Sequence, residues 1–122
     1  MTWYSASAIF YFEYKDGKQD DYLVWENVYL LEASSVDEAR SKAESYARQY
    51  EGDSSGTLQL DGRAVTQRYC GLRKLMEARN SICLTEGSLE GAEVTFSKFL
   101  VKDRKSLDRL TSGESVEVIY DE

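Results

Sequence analysis

The alternation in TWYSASAIFYFEY, residues 2–14, constrains this chain more than any other stretch. Tyr4, Ala6, Ala8, Phe10, Phe12 and Tyr14 fall on one face of an extended chain, and Trp3, Ser5, Ser7, Ile9, Tyr11 and Glu13 on the other. A period of two with aromatic residues predicts a β-strand. The same stretch is too short and too interrupted to span a bilayer, which takes about 20 apolar residues. It has neither a basic run ahead of it nor a small-residue cleavage site behind it, so no export segment or membrane partner is expected and the location predicted is cytoplasmic.

Next comes KDGKQDD, whose Asp16-Gly17 is a strong hairpin signal between apolar runs. YLVWENVYLLEA returns as a second strand, with Trp25, Tyr29, Leu31 and Ala33 on one side and Val24, Val28 and Leu30 on the other. Apolar residues on both faces predict a hairpin covered on both sides for part of its length.

Ser35 with Glu38 three residues later forms a capping box. Val36, Ala39, Ala43, Tyr46, Ala47 and Tyr50 then recur at helical spacing, and Gly52 is a natural stop. A long helix is therefore predicted over about 36–51, with an alanine stripe that lets it lie close to a sheet. A short strand is expected near 57–60 and another extended run over 64–76, where Gly71 suggests a bulge or a close backbone approach. An irregular stretch follows with an apolar island at Ile82, Cys83 and Leu84, then a strand over 92–101. A short C-terminal helix over about 103–111, ended by Gly113, and a last strand complete the chain. The fold class expected is α+β: one domain over residues 1–122, with a curved, mostly antiparallel sheet of about five to six strands and the long helix on one face.

Composition removes several kinds of chemistry. The chain has 122 residues and no histidine, which excludes Ser-His and Cys-His nucleophile pairs and imidazole ligands. The two cysteines, Cys70 and Cys83, suit neither a disulfide framework nor a zinc site, and both are expected to be buried and reduced. P-loop, dinucleotide-binding and EF-hand spacings are missing. No catalytic residue, metal site or cofactor is assigned. The net charge of −7 opposes nucleic-acid binding, which relies on Lys and Arg to neutralise phosphates. The basic residues Lys102, Arg104, Lys105 and Arg109 read as a solvated helix start.

WYSA at 3–6, Trp25-Glu26, a strand ending in EAS and the helix DEARSKAE at 37–44 resemble an uncharacterised bacterial domain family of unknown function. YCGLRKL at 69–75 and GAEVTFSKFL at 91–100 resemble its later pieces, so the likeness runs over residues 3 to about 101. Asn27 stands where that pattern has a second acidic residue, and residues 102–122 read as an extension beyond it. The resemblance implies a fold and a bacterial origin, and no activity.

Three residues stand out as weak candidates for ligand contact: Trp25, Glu26 and Tyr69. Aromatic residues alternating in strands serve core packing more often than stacking of ligands. Glu26, amid apolar neighbours, reads either as a desolvated carboxylate or as the partner of Arg68 or Arg73 across the sheet. Without histidine, an activated Ser5 or Ser7 would need a lysine base, and none stands near in sequence. The enzyme reading ranks last, resting on Glu26 with Tyr29 or Tyr69. The leading expectation is a non-enzymatic protein-interaction module with a protein partner, in one version an immunity or antitoxin-like protein that covers a toxin's basic cleft. The alternative is a small-ligand sensor or accessory domain with a pocket between helix and sheet. An edge-strand homodimer is compatible with each.

Overall fold

The computed structural model describes residues 1–20, 22–78, 91, 94–95 and 98–120. The element order is β1 (Thr2–Tyr14), β2 (Val24–Ala33), α1 (Val36–Arg48), β3 (Gln59–Leu60), β4 (Arg63–Glu77), β5 (Phe99–Leu100), α2 (Arg104–Ser112) and β6 (Ile119–Tyr120). The class is α+β. The main sheet is curved and antiparallel, in the order β2-β1-β4-β3, and β5 pairs with β6 in a separate sheet. Among the described residues the expected sheet of about five to six strands is a sheet of four, with two further strands in the separate sheet. The reason is local: α2 turns the chain back, so Phe99 meets Tyr120 and Leu100 meets Ile119. Of the strand expected at 92–101, Phe99 and Leu100 are observed as strand, while residues 92–93 and 96–97 and the irregular stretch with Ile82, Cys83 and Leu84 lie outside the described residues.

β1 is a central strand, and its even-numbered face is the core. Tyr4, Ala6, Ala8, Phe10 and Phe12 are 8%, 0%, 0%, 0% and 6% exposed. Ala39, Ala43 and Ala47 of α1 are wholly buried. Ala39 and Ala43 pack with Tyr4, Ala6, Leu31 and Ala33, and Ala47 with Ala8 and Phe10. Three methyl groups at helical spacing let the helix backbone approach the strand, while the larger Tyr29, Tyr69 and Leu72 pack around that contact.

The ends of α1 follow from its sequence. The Ser35 side chain accepts from the Glu38 backbone N–H at 3.1 Å. The Glu38 carboxylate reaches back past Ser35 and accepts from the Ser34 hydroxyl at 2.6 Å. That hydroxyl, first among the causes, holds the Glu38 carboxyl below its ordinary range. The helix stops at Arg48, short of the expected 51, because the next turn tightens: Tyr50 N–H bonds the Ala47 carbonyl and Glu51 N–H the Arg48 carbonyl. Gly52, at φ +130°, then swings the chain onto β4 and exchanges both backbone bonds with Gln67. α2 is capped by Asp103, which accepts from Ser106 N–H at 2.8 Å, and it ends at Gly113.

The β1–β2 loop is held against β4. The Arg63 guanidinium lies 3.6 Å from the centre of the Tyr14 ring. It also forks onto Asp16 at 2.8 and 3.1 Å, which depresses the Asp16 carboxyl.

Two irregularities bend β4. Register shifts between Ser7/Ala8 and Ile9/Phe10 leave Arg73 and Cys70 as extra residues on β4, with Gly71 between them. Helix-facing positions on β4 therefore come at three-residue steps: Leu75 opposite Ala6, Leu72 opposite Ala8, Tyr69 opposite Phe10. Cys70 is exposed, contrary to expectation, because it is one of the extra residues and has no facing partner on β1.

The second face of β1 is also covered at its centre, with Ser5 and Ser7 each 2% exposed. Ser5 lies between Leu30 and Met76 in register, and among the described residues its hydroxyl has no hydrogen-bond partner. Such a hydroxyl keeps its full desolvation cost. Ser5→Ala is expected to raise stability by about 1 kcal/mol in urea unfolding, because it removes that cost without stranding a partner. A loss of stability would show that the hydroxyl is satisfied.

Candidate functional site

The three residues singled out in the sequence separate onto two faces of the sheet. Trp25 and Tyr69 both stand opposite Phe10, one on each neighbouring strand, facing the helix. They are two strand spacings, roughly 10 Å, apart. Glu26, the next residue along β2, projects from the opposite face. The register therefore gathers no two of the three at one site.

Trp25 is 51% exposed and meets Phe12 edge-to-face at 5.3 Å. Tyr69 is more enclosed: its ring lies 5.6 Å from Phe10, and the Arg48 guanidinium sits 5.3 Å from its centre. Its hydroxyl is buried and, among the described residues, has no hydrogen-bond partner. Burial first, and then the nearby Glu44 carboxylate, push the Tyr69 phenol above its ordinary pKa. That keeps it protonated at neutral pH and makes it a poor base. Tyr29 extends the cluster, stacking on Tyr50 at 6.1 Å. These rings close the flank of the helix–sheet contact.

Glu26 forms an ion pair with Arg73, one of the two arginines named from the sequence. Arg73 is the extra residue of a bulge, which frees it from the β1 register to reach across that strand. The Tyr120 ring of β6 lies 5.1 Å from the Arg73 guanidinium, so the C-terminal unit touches the sheet here. On the same face the register sets Lys74 directly opposite Ser7. Nothing in the sequence announces that pairing, since the two are far apart along the chain and a bulge sets their register.

The remaining feature is the rim of the sheet at β2. Phe12 N–H donates to the Leu23 carbonyl at 3.3 Å, and those residues continue the β1–β2 register. In an antiparallel ladder the bonded pairs alternate. The odd-numbered residues of β2 therefore bond β1, and Val24, Glu26, Val28, Leu30 and Glu32 turn their backbone N–H and C=O groups outward. The Glu32 carbonyl is taken by the Lys42 ammonium at 2.9 Å. Among the described residues no backbone partner meets the other four. The opposite rim is closed in sequence: Val65 N–H bonds Leu58, Gln67 N–H bonds Gly52, and Tyr69 N–H bonds the Glu51 carboxylate at 3.0 Å.

The side chains beside the open rim are apolar and exposed. Tyr22, Leu23, Val24, Trp25 and Val28 are between 42% and 62% exposed. A cavity of about 660 Å³ is lined by Leu100, Val101, Lys102, Glu117, Val118 and Ile119, none of them in β2. Among the described residues no three of His, Cys, Asp and Glu cluster as a metal would need, and no helix is long and apolar enough to cross a membrane.

Comparison with curated proteins and with solved structures returns no match. The sequence model of one family does match, over residues 3–95, which takes in β1, β2, α1, β3 and β4 and leaves the small β5–β6 sheet outside. On that match the chain belongs to the family described as a domain of unknown function, DUF4288.

Proposed function

We propose that this domain is a non-enzymatic protein-interaction module of bacterial origin that binds its partner along the outermost strand, β2. The observation that carries the reading is the run of half-exposed apolar residues from Tyr22 to Trp25 beside a strand edge that pairs with no other strand among the described residues. Burying a large apolar side chain completely contributes about 1.5–3 kcal/mol. Covering several that are half exposed is enough to sustain a stable contact. The net charge of −7 favours a basic partner surface, as in an immunity or antitoxin-like protein that shields a toxin's nucleic-acid cleft.

Immobilised full-length chain and its Trp25→Ser variant, exposed to lysate of the native cell, test this reading. The expected result is one protein retained by the parent and recovered at least about tenfold less by the variant, then reproduced with that protein purified. Equal retention by both chains would remove β2 from the interface, and no retention at low salt would sink the reading.

A small-ligand reading has one observation in its favour, the cavity of about 660 Å³ between Leu100–Lys102 and Glu117–Ile119. Its apolar lining suits a ligand of modest size. A metabolite panel scored by shift of the melting temperature tests it, and a shift that survives Trp25→Ser would favour this reading over the first.

A further inference from the structure

We infer that the open edge of β2 takes up an extended protein segment bearing Lys or Arg as an additional strand of the sheet. The inference rests on the interaction reading above and specifies its mode and its partner's chemistry.

Geometry argues for the mode. Four residues at alternating positions, Val24, Glu26, Val28 and Leu30, present along one line backbone donors and acceptors that no backbone group among the described residues meets. They span seven positions of a strand, 24–30. Added strands gain affinity from such main-chain bonds and specificity from alternate side chains. Exposed edges are usually blunted by a bulge, a proline, a lysine or a covering loop. β2 has no proline or lysine, and its ten-residue register with β1 is unbroken. Its mid-strand charge, Glu26, is held by Arg73 rather than left as a bare deterrent. Both bulges sit in β4, whose rim is closed by the 51–58 segment instead.

Charge argues for the occupant. Between Lys18 and Arg40 the sequence has six acidic residues (Asp20, Asp21, Glu26, Glu32, Asp37 and Glu38) and no basic one. A second copy would bring the same acidic stretch against itself, in a chain already at −7. A segment alternating apolar and basic residues fits better: its apolar side chains, all on one face, meet Trp25, and its cations, on the other, meet the face that carries Glu26 and Glu32.

The probes are capped peptides of about seven residues: one alternating Lys and Val, one alternating Glu and Val, and one Lys and Val peptide interrupted by two adjacent central prolines, which keeps the positive charge and breaks the ladder on either edge of the strand. Binding to the full-length chain is read by fluorescence anisotropy and by amide exchange. The first peptide is expected to bind at least about tenfold more tightly than either other, more weakly as salt rises, and to slow exchange at Val24, Glu26, Val28 and Leu30. Val28→Pro removes an outward N–H that β1 does not use, so it should keep the fold and abolish the difference between peptides. Glu32→Gln, which alters charge alone, should weaken the first peptide with the exchange pattern kept.

Equal binding of the proline-bearing peptide would reduce the effect to charge and overturn the inference. Protection outside β2, or no binding, would overturn it too. Protection of the same amides before any peptide is added, with a dimer in sedimentation, would assign the edge to a second copy and overturn the proposed occupant. If the peptides fail while capture of the native partner still depends on Trp25, strand addition falls and the interaction reading stands.

Discussion

Phe10→Ala is expected to lower stability by about 3–5 kcal/mol, the range for emptying a ring from a tightly packed core. Phe10 has no exposed surface, stands on a central strand and packs on Ala47 of α1. Tyr69 lies 5.6 Å away on one side, and Tyr50 lies 6.4 Å away just past the end of the helix. Trp25 is its register partner on the other strand. Three of these neighbours are rings fixed to different elements, so they cannot all shift inward to fill the gap. A domain of this kind has about 5–15 kcal/mol in total, so the variant should sit near the edge of folding. Urea unfolding of parent and variant measures it. A loss below about 1 kcal/mol would mean that the site collapses freely and that the core lies elsewhere.

The second large effect comes from adding atoms. Ala43→Leu should cost about 1–3 kcal/mol, even though leucine is nearly as good a helix former as alanine. Ala43 is fully buried in the cluster that holds Tyr4, Ala6 and Leu31. A branched side chain there has to push the helix off β1 or adopt a strained rotamer. Ser41→Leu, at an exposed position on the same helix, is the control and should change stability by under about 0.5 kcal/mol. If both variants behave alike, the alanine stripe does not set the helix–sheet distance.

Much of this architecture is legible in the sequence, and the reasons are specific. β1 alternates without interruption, so its core face of Tyr4, Ala6, Ala8, Phe10 and Phe12 is correct residue by residue. α1 announces itself through Ser35, Glu38 and the spacing of Ala39, Ala43 and Ala47. β4 is harder. Tyr69, Leu72 and Leu75 face the helix at three-residue steps, a spacing that resembles a helix although the backbone is extended. Gly71 hints at one bulge, and nothing in the sequence announces the second. The candidate site is less legible still. The sequence names Arg73 among the partners of Glu26 but separates neither Glu26 from Trp25 by face nor β2 from β4 by edge. Those distinctions come from strand order, which is set by contacts between residues far apart along the chain. The closure of the β4 rim depends on Glu51 and Gly52, residues whose role in the sequence is to end a helix.

The paired bulges give β4 an arithmetic of its own. A side chain's face is a matter of odd or even count along a strand, and each extra residue reverses it. Arg73 reverses the count and Cys70 reverses it back, so residues on either side of the pair agree on which face is inner. Losing one of them would turn half of β4 inside out. Losing both would shorten the strand and leave its faces as they were. Length along this strand is thus free to change in twos and forbidden to change by one, a parity rule that any related sequence keeping both the helix face and the β1 pairing has to obey.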